Sequence, residues 1–370
     1  MIQSLFKWKE KKGVKKPVGG VTYYDLSVRE IIRETVDTIS IIFENPDNLI
    51  NYEAGQYITL IMKIDDEEIR RSYSLSSSPV TDDHLAVTVK KIEGGHVSNY
   101  LNHQLKPGDK IRVMQPMGNF TTEFNENHDR TLLLFAGGSG ITPLISILKT
   151  LLATEPNSNA ILIYQNRNLQ SIIFKDMIDA LVKKHPDALK VFHVLSKPEK
   201  SWQGRSGRIT SAMVKHIVEE TNFNLHNTDV FFCGPSGMMN TAELVMKELG
   251  VDNSRFHKES FVATPSNKES AEKEEDPSDE ISMVHILVDG QEYEVEVKRN
   301  EFILETALDH DIDIPFSCQS GLCTTCRGKL LSGKVQMEDP DGLSEGEIAN
   351  GYILSCVSHP DSREIKIEIG

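Results

Sequence analysis

The chain has 370 residues, of which 39% are hydrophobic and 26% charged, and its formal net charge is −15 at pH 7. One hydrophobic core rarely serves a chain of this length, so we expect two or three domains. The acidity argues against a nucleic-acid partner, which would require a basic surface. No stretch approaches the roughly 20 apolar residues of a membrane span, and we expect no membrane partner.

Residues 1–21 are predicted to be a solvated basic tail, because they lack the apolar segment and the cleavage site of a signal peptide. Residues 22–125 are predicted to form an antiparallel β-barrel. Short apolar runs with turn signals between them and little helix are typical of that fold. The predicted strands are 27–32, 40–43, 56–64, 69–75, 85–92 and 110–114.

Two polar motifs in the predicted barrel suit a flavin and its phosphates. The first, R-S-Y-S, ends a strand, and the second, K-K-I-E-G-G-H-V-S, precedes a helical turn. An arginine can neutralise a pyrophosphate, and backbone N–H groups at a helix N-terminus can bind one. A tyrosine can stack on the isoalloxazine ring and a serine can hydrogen-bond near its reactive nitrogen. The candidates are Arg71, Tyr73, Ser74, Val89, Lys90, Gly95, His96, Val97 and Ser98.

Residues 126–262 are predicted to form a parallel α/β sheet, since apolar strands alternate with helices. The predicted strands are 132–135, 161–164, 191–194 and 230–232, and the predicted helices are 143–152, 172–183, 211–219 and 237–249.

A glycine turn follows the first of these strands and suits a pyridine nucleotide. Glycines let the backbone approach a pyrophosphate, and a proline fits the first helical turn. By itself such a turn is weak evidence, and Cys233 could simply be a small buried residue that ends a strand. The candidates at this turn are Gly137, Gly138, Gly140, Ile141, Thr142 and Pro143, and the family resemblance described below adds Arg167, Ser196, Lys197, Cys233, Gly234 and Pro235.

Residues 263–280 contain hardly an apolar side chain and are predicted to be a flexible acidic linker. Residues 281–370 should fold again, with strands at 285–288 and 293–297 and a helix near 303–310. This last segment carries 17 acidic and seven basic side chains, whereas residues 1–262 carry 31 of each. Its acidity could steer it toward a positively charged protein, but plain solubility explains the charge equally well.

Four of the five cysteines lie in this last segment, spaced C-x4-C-x2-C with a fourth far downstream. They are Cys318, Cys323, Cys326 and Cys356. This spacing is that of a plant-type [2Fe–2S] cluster, and small loop residues would let backbone N–H groups approach the sulfurs. Zinc is the main alternative, but a structural zinc site usually has two C-x2-C pairs. An odd number of cysteines indicates metal ligation in a reducing compartment, so we expect a cytoplasmic protein.

These motifs resemble two known families. Residues 22–262 resemble the ferredoxin–NADP reductase family, and residues 281–370 resemble plant-type ferredoxins with a β-grasp fold. The resemblance implies that the R-x-Y-S and G-G-x-V-S motifs hold FAD, although an FMN-binding branch exists. It also implies that Cys233 lies beside the nicotinamide, that Glu259 tunes the site and that Phe261 shields the flavin. Ser74, Cys233 and Glu259 are thus the candidate catalytic residues.

The resemblance further implies that Ser196 and Lys197 stand where relatives that prefer NADPH bind its 2′-phosphate with Ser-Arg. Lysine keeps the charge but lacks the fork geometry of arginine, so NADPH is favoured and NADH stays open.

The domain order implies electron transfer from NAD(P)H to FAD, then to the [2Fe–2S] cluster and to an acceptor protein that docks on the acidic domain. It resembles reductase components of multicomponent oxygenases, especially those of the phenylacetyl-CoA epoxidase type. Reductases of aromatic-ring hydroxylases and of hybrid-cluster proteins share the layout, so the acceptor stays open. A non-enzymatic Fe–S redox sensor would need no hydride donor, and a stand-alone flavin reductase would need no ferredoxin domain.

Overall fold

The computed structural model describes residues 14–18, 21–46, 49–65, 67–221, 223–261, 281–288, 290–319, 321–340 and 342–369. The predicted linker 263–280 lies outside the described residues, as does most of the predicted tail. Within that tail the structure differs from the expectation at β1 (Val14–Val18), which pairs with the next strand. Its two valines favour extended backbone, and Pro17 is tolerated because the strand lies at an edge.

The first sheet is antiparallel and has seven strands. Its order is β5-β4-β7-β2-β3-β6, with β1 paired to β2. An antiparallel bridge between Leu75 and Val87 joins the two ends, so the sheet curls into a barrel around an apolar core. The strands are β2 (Val21–Thr35), β3 (Thr38–Phe43), β4 (Tyr57–Ile64), β5 (Glu67–Ser74), β6 (Leu85–Lys90) and β7 (Lys110–Met114), and helix α1 (His96–His103) follows β6.

The second sheet is parallel, has six strands and carries apolar clusters on both faces. The strands are β8 (Thr131–Gly137), β9 (Asn159–Asn166), β10 (Leu189–Leu195), β11 (Arg205–Ser206), β12 (Thr228–Cys233) and β13 (Phe256–Glu259). The helices are α2 (Ile141–Thr154), α3 (Lys175–Lys184), α4 (Ser211–Thr221) and α5 (Ser236–Glu248). The order β11-β10-β9-β8-β12-β13 reverses between β8 and β12, where open parallel sheets bind their ligands.

The third unit is a five-stranded mixed sheet with one helix packed on it, as in a β-grasp fold. The sheet order is β15-β14-β20-β16-β18, and β17 pairs with β19 separately. The elements are β14 (Ile281–Val288), β15 (Gln291–Lys298), α6 (Ile303–Asp309), β16 (Arg327–Ser332), β17 (Val335–Met337), α7 (Glu345–Ala349), β18 (Tyr352–Leu354), β19 (Ser358–Pro360) and β20 (Glu364–Ile369).

The fold class expected from the sequence is therefore confirmed, while some element bounds move. The helix predicted at 172–183 begins only at Lys175, because Phe174 has a left-handed φ of 61° that interrupts a helix. The strand predicted at 27–32 extends over Val21–Thr35, because it pairs with β1, β3 and β7 along its length. Neighbouring strands stabilise residues that local patterns leave undecided.

Candidate functional site

The three candidate catalytic residues come together where the barrel meets the parallel sheet. Ser74 is the last residue of β5, and its hydroxyl donates to Glu259 Oε2 over 3.0 Å. Glu259 ends β13 directly beside Cys233, its partner in the parallel pairing of β12 with β13. Residues from two separate sheets thus form one polar centre in otherwise buried surroundings.

The carboxyl group of Glu259 is enclosed, although the residue as a whole is only half-buried. Burial raises its pKa to about 8, and the hydrogen bond from Ser74 lowers it by less. At neutral pH the group therefore holds a proton. Burial, with a contribution from Glu259, also raises the pKa of the Cys233 thiol, so this cysteine stays neutral.

We expect Glu259 to make the protein less stable as pH rises from about 4.5 to about 8. Because its pKa is raised in the folded state, folding retains a proton that the unfolded chain releases, and stability falls over that window. The loss is on the order of a few kcal/mol. In Glu259→Gln the melting temperature should lose this part of its pH dependence. Melting curves of that variant and of the exposed control Glu219→Gln, recorded at pH 5, 6.5 and 8, check this, and parallel profiles would contradict it.

The two glycine turns of the parallel sheet pack tightly against each other at its switch point. A Cβ on Gly140 would lie 2.1 Å from Cys233 O, and one on Gly137 would lie 2.5 Å from Pro235 Cδ. Gly234, with a φ of 155°, has similarly little room. Gly138 is different, because its Cβ would point into open space. The backbone at Gly138 is therefore open to the approach of a ligand, as the binding of a pyrophosphate requires.

Helix α2 begins directly behind this turn with three buried residues, Ile141, Thr142 and Pro143. Thr142 Oγ1 donates to Ser139 O over 3.0 Å and holds the turn in place. Tyr164 Oη donates to Gly138 O over 3.0 Å from the neighbouring strand. The amide end of α2 therefore faces the place expected for nucleotide phosphates.

The residues expected to select the coenzyme lie together at the ends of β9 and β10. Ser196 N–H donates to Asn166 O and Lys197 N–H donates to Arg167 O, over 2.9 and 2.7 Å. Arg167 and Lys197 are both exposed. Two cations thus stand side by side at the rim of the sheet, where they can attract an added phosphate.

The expected flavin residues form two groups. Gly95 is the N-cap of α1, and Val97 and Ser98 are buried in its first turn. Ser98 Oγ accepts from Ile92 N–H over 3.1 Å, and exposed His96 contacts Asp65 over 3.2 Å. The N–H groups in the first turn of α1 have no partner within the helix, so this end of the helix could bind the flavin phosphates.

The second flavin group lies on the strands. Arg71 is exposed and donates to Arg70 O over 2.7 Å, and Tyr73 is half-buried against the barrel core. Val89 points into that core, so only its backbone could face a ligand. Lys90 Nζ lies 3.8 Å from Asp37.

Phe261, expected to shield the flavin, is 40% exposed two residues after Glu259. Its ring therefore remains available to cover a bound group near the catalytic centre.

The four C-terminal cysteines converge. Cys323, Cys326 and Cys356 are buried, and Cys323 N–H donates to Cys318 Sγ over 3.3 Å. The thiol of Cys318 contacts those of Cys323 and Cys356, and Cys326 contacts Cys356. Hydrogen bonding to Cys318 raises the pKa of Cys323, whereas hydrogen bonding from Cys356 lowers that of Cys326.

The loop around the cysteines fits an iron–sulfur cluster. Gly321 has a φ of 71°, and its backbone N–H reaches the sulfur of Cys356. Four converging thiols, three of them buried, with backbone donors are the chemistry of such a cluster. Among the described residues no group of three or more His, Cys, Asp or Glu has the geometry for a single metal ion.

The sequence analysis missed the residues that join this loop to the barrel. Tyr57 Oη contacts Thr324 Oγ1 and Thr325 Oγ1, and Ser72 Oγ lies 2.8 Å from Ser317 Oγ. These partners are more than 240 positions apart in the chain. No local pattern could have predicted the contacts.

Comparison with known proteins finds three domain matches along the chain. Residues 24–122 match the oxidoreductase FAD-binding domain, residues 134–243 the oxidoreductase NAD-binding domain, and residues 286–361 the 2Fe-2S iron-sulfur cluster binding domain. The chain is 34% identical over 352 residues to a 1,2-phenylacetyl-CoA epoxidase subunit of Escherichia coli K12, covering 94% of this chain and 98% of that protein. The chain belongs to the ferredoxin–NADP reductase family, in the branch with a C-terminal [2Fe–2S] domain.

This reductase is similar to further proteins along nearly their whole length. It is 36% identical over 351 residues to the ferredoxin reductase component of 3-ketosteroid-9-alpha-monooxygenase from Rhodococcus rhodochrous, covering 93% of this chain and 96% of that one. Phthalate dioxygenase reductase shares its fold, with a TM-score of 0.58, 24% identity, and coverage of 94% and 98%. The reductase is an NAD(P)H oxidoreductase that uses FAD and a [2Fe–2S] cluster. In the described part of the chain, no helix has the length and apolarity to cross a membrane.

Proposed function

We propose that this reductase takes electrons from NADPH and delivers them singly to the oxygenase of a phenylacetyl-CoA epoxidase system. The observation that carries the proposal is the single β4–β5 hairpin that touches both other units. Its Ser74 contacts Glu259 of the nucleotide unit, and its Tyr57 and Ser72 contact the cysteine loop. The hairpin therefore contacts both the nucleotide unit, which would hold the electron donor, and the cysteine loop, which would hold the electron-accepting cluster.

The site residues have separate roles in this proposal. Ser74 and protonated Glu259 hold and orient a proton at the meeting point, and Cys233 keeps a small neutral thiol beside Glu259, where the nicotinamide would bind. Bound FAD would supply the conversion of a hydride into single electrons, and a cluster held by the four cysteines would supply one-electron transfer. For each NAD(P)H oxidised, two one-electron acceptors are reduced and one proton is released.

The binding residues follow from the same geometry. The backbone at Gly137, Gly138 and Gly140 with the start of α2 would hold the nucleotide pyrophosphate, and Gly234 and Pro235 would support it. The start of α1 and Arg71 would hold the flavin phosphates. We propose domains at 22–125, with β1 added to its sheet, at 126–262 and at 281–370, and a linker at 263–280 between the last two. The free cysteines suit a reducing compartment, in keeping with a cytoplasmic location.

The choice of acceptor rests on similarity along the whole chain. The similarity to the epoxidase protein of Escherichia coli covers 98% of that protein. The ketosteroid monooxygenase component is similar to the same degree and is the second candidate. The acidic surface of residues 281–370 would face a basic patch on either oxygenase.

Reconstitution tests the proposal. The reductase, mixed with the purified oxygenase of the epoxidase system, NADPH and phenylacetyl-CoA, should give coupled product formation. The rate should exceed that with a ketosteroid oxygenase and its substrate by about tenfold, the scale of a difference of about 1.4 kcal/mol. The reverse ratio would assign the reductase to the second candidate. Absence of coupling with both would overturn the proposal.

Coenzyme choice gives a separate prediction. Lys197 is exposed beside Arg167. Lys197→Ala should therefore lower kcat/KM for NADPH, and the free-energy barrier that kcat/KM reports should rise by about 1–2 kcal/mol, near the value of a charged hydrogen bond. The value for NADH should barely change. Steady-state kinetics with both coenzymes measure this, and Lys200→Ala, an exposed neighbour, is the control. Equal loss with both coenzymes would show that Lys197 does not contact the 2′-phosphate.

A further inference from the structure

Tyr57 is a buried barrel residue whose hydroxyl reaches out of its own unit. It begins β4 and is 5% exposed. Its Oη lies 3.2 Å from Thr324 Oγ1 and 3.1 Å from Thr325 Oγ1, and Thr324 N–H donates to it over 3.2 Å. Three polar contacts to one cysteine loop are more than packing alone requires.

The direction of these hydrogen bonds follows from counting donors. Burial raises the pKa of Tyr57, so the phenol keeps its single proton. The Tyr57 oxygen accepts from Thr324 N–H and can accept from the Thr324 hydroxyl as well. The Tyr57 hydroxyl can then donate its own proton to Thr325 Oγ1, so that it acts both as an acceptor and as a donor of hydrogen bonds.

Thr325, the partner of Tyr57, also contacts a cysteine of the same loop. In the structure the Cys323 thiol donates to Thr325 Oγ1 over 3.4 Å, and both residues are buried. A thiolate that binds iron has no proton, so the Thr325 hydroxyl must then be the donor. With Cys323 bound to iron, these contacts would form one chain of hydrogen bonds directed from Tyr57 through Thr325 to the sulfur of Cys323.

The same strand pair places this chain beside the catalytic centre. Tyr57 lies directly opposite Ser74 in the register of β4 and β5, so both side chains stand on one face of the sheet. Ser72, on the same face, contacts Ser317, and the Arg70 guanidinium lies 4.4 Å from the ring centre of Phe316. The cysteine loop therefore docks within a few residues of Ser74.

We propose that Tyr57 is a positioning residue that, through Thr325, makes the cluster easier to reduce while the third unit is docked on the barrel. A donor to a cluster sulfur stabilises the added negative charge, and a hydroxyl that itself accepts a hydrogen bond is a stronger donor. Release from Tyr57 weakens that donor and favours passing the electron onward. This inference rests on the proposed direction of electron flow.

Tyr57→Phe in the full-length holoenzyme is the first test, because it removes only the hydroxyl. In an EPR-monitored dithionite titration the cluster should become harder to reduce by about threefold in equilibrium constant, or about 28 mV for a one-electron couple. Stopped-flow reduction of the flavin by NADPH should stay within about twofold. The control Tyr52→Phe removes a similar bond, 2.7 Å to Ser77, and should leave the cluster potential unchanged.

Thr325 variants separate the hydrogen-bond chain from docking in general. Thr325→Val should lower the potential at least as much as Tyr57→Phe, and Thr325→Ser, which keeps the hydroxyl, should restore it. The double variant Tyr57→Phe with Thr325→Val should match Thr325→Val alone, because the effect passes through Thr325. Additive shifts, or an unchanged potential in Tyr57→Phe, would overturn the inference. If NADPH failed to reduce the wild-type cluster, the proposed function would fail instead, since dithionite still reports the potential.

Discussion

A Cys323→Ser variant should lose electron transfer to cytochrome c by about 100-fold or more, because the cluster needs four thiolate ligands. Cys323 is 7% exposed and contacts Cys318, so a serine oxygen there would leave one iron poorly held. The wild-type protein should contain about two irons and two sulfides per chain and show a rhombic EPR signal when reduced. The variant should lose both.

The flavin site should be spared, because Cys323 lies on the third unit. NAD(P)H-driven reduction of ferricyanide should therefore stay within about twofold of wild type. Thr324→Ser, which keeps a hydroxyl in the same loop, is the control and should retain the EPR signal. Stoichiometric zinc without iron, or cytochrome c reduction that survives in Cys323→Ser, would show that electrons leave by another route.

A Gly140→Ala variant should lose NAD(P)H-dependent turnover by about 100-fold or more. The new Cβ would lie 2.1 Å from Cys233 O and 2.9 Å from Gly234 N, and both are backbone atoms that cannot rotate away. The ends of β8 and β12 must separate to admit it, at a cost of about 1–3 kcal/mol or more. Hydride-transfer kinetics and the melting temperature measure the two effects.

Gly237→Ala is the matched control. It lies in α5, no atom would come within 4 Å of its Cβ, and alanine is the better helix former. Its turnover should be unchanged and its melting temperature equal or slightly higher. In Gly140→Ala, dithionite should still reduce the cluster, which shows that the third unit is folded. An unchanged KM for NAD(P)H in Gly140→Ala would show that the nucleotide does not bind at this glycine turn.

Much of the fold could be predicted because its patterns are local. Strand–helix alternation after residue 126 predicted the parallel sheet, and β7 was predicted at its observed bounds, Lys110–Met114. The predicted start of α3 was wrong, because Phe174 has a left-handed φ and the helix begins only at the residue after it. β1 was missed because an edge strand of valines, lysines and a proline has no apolar alternation to reveal it.

The sequence by itself determined the chemistry of this reductase. Cysteine spacing specifies a cluster, and glycine turns after apolar strands specify phosphate sites, since these motifs lie within short segments. Only the tertiary structure decided how the sites meet. Ser74 with Glu259 and Tyr57 with Thr325 are pairs far apart in the chain, and the partners lie in different units. Such contacts arise when separate hydrophobic cores form and dock, and no periodic pattern within either partner encodes the choice of the other.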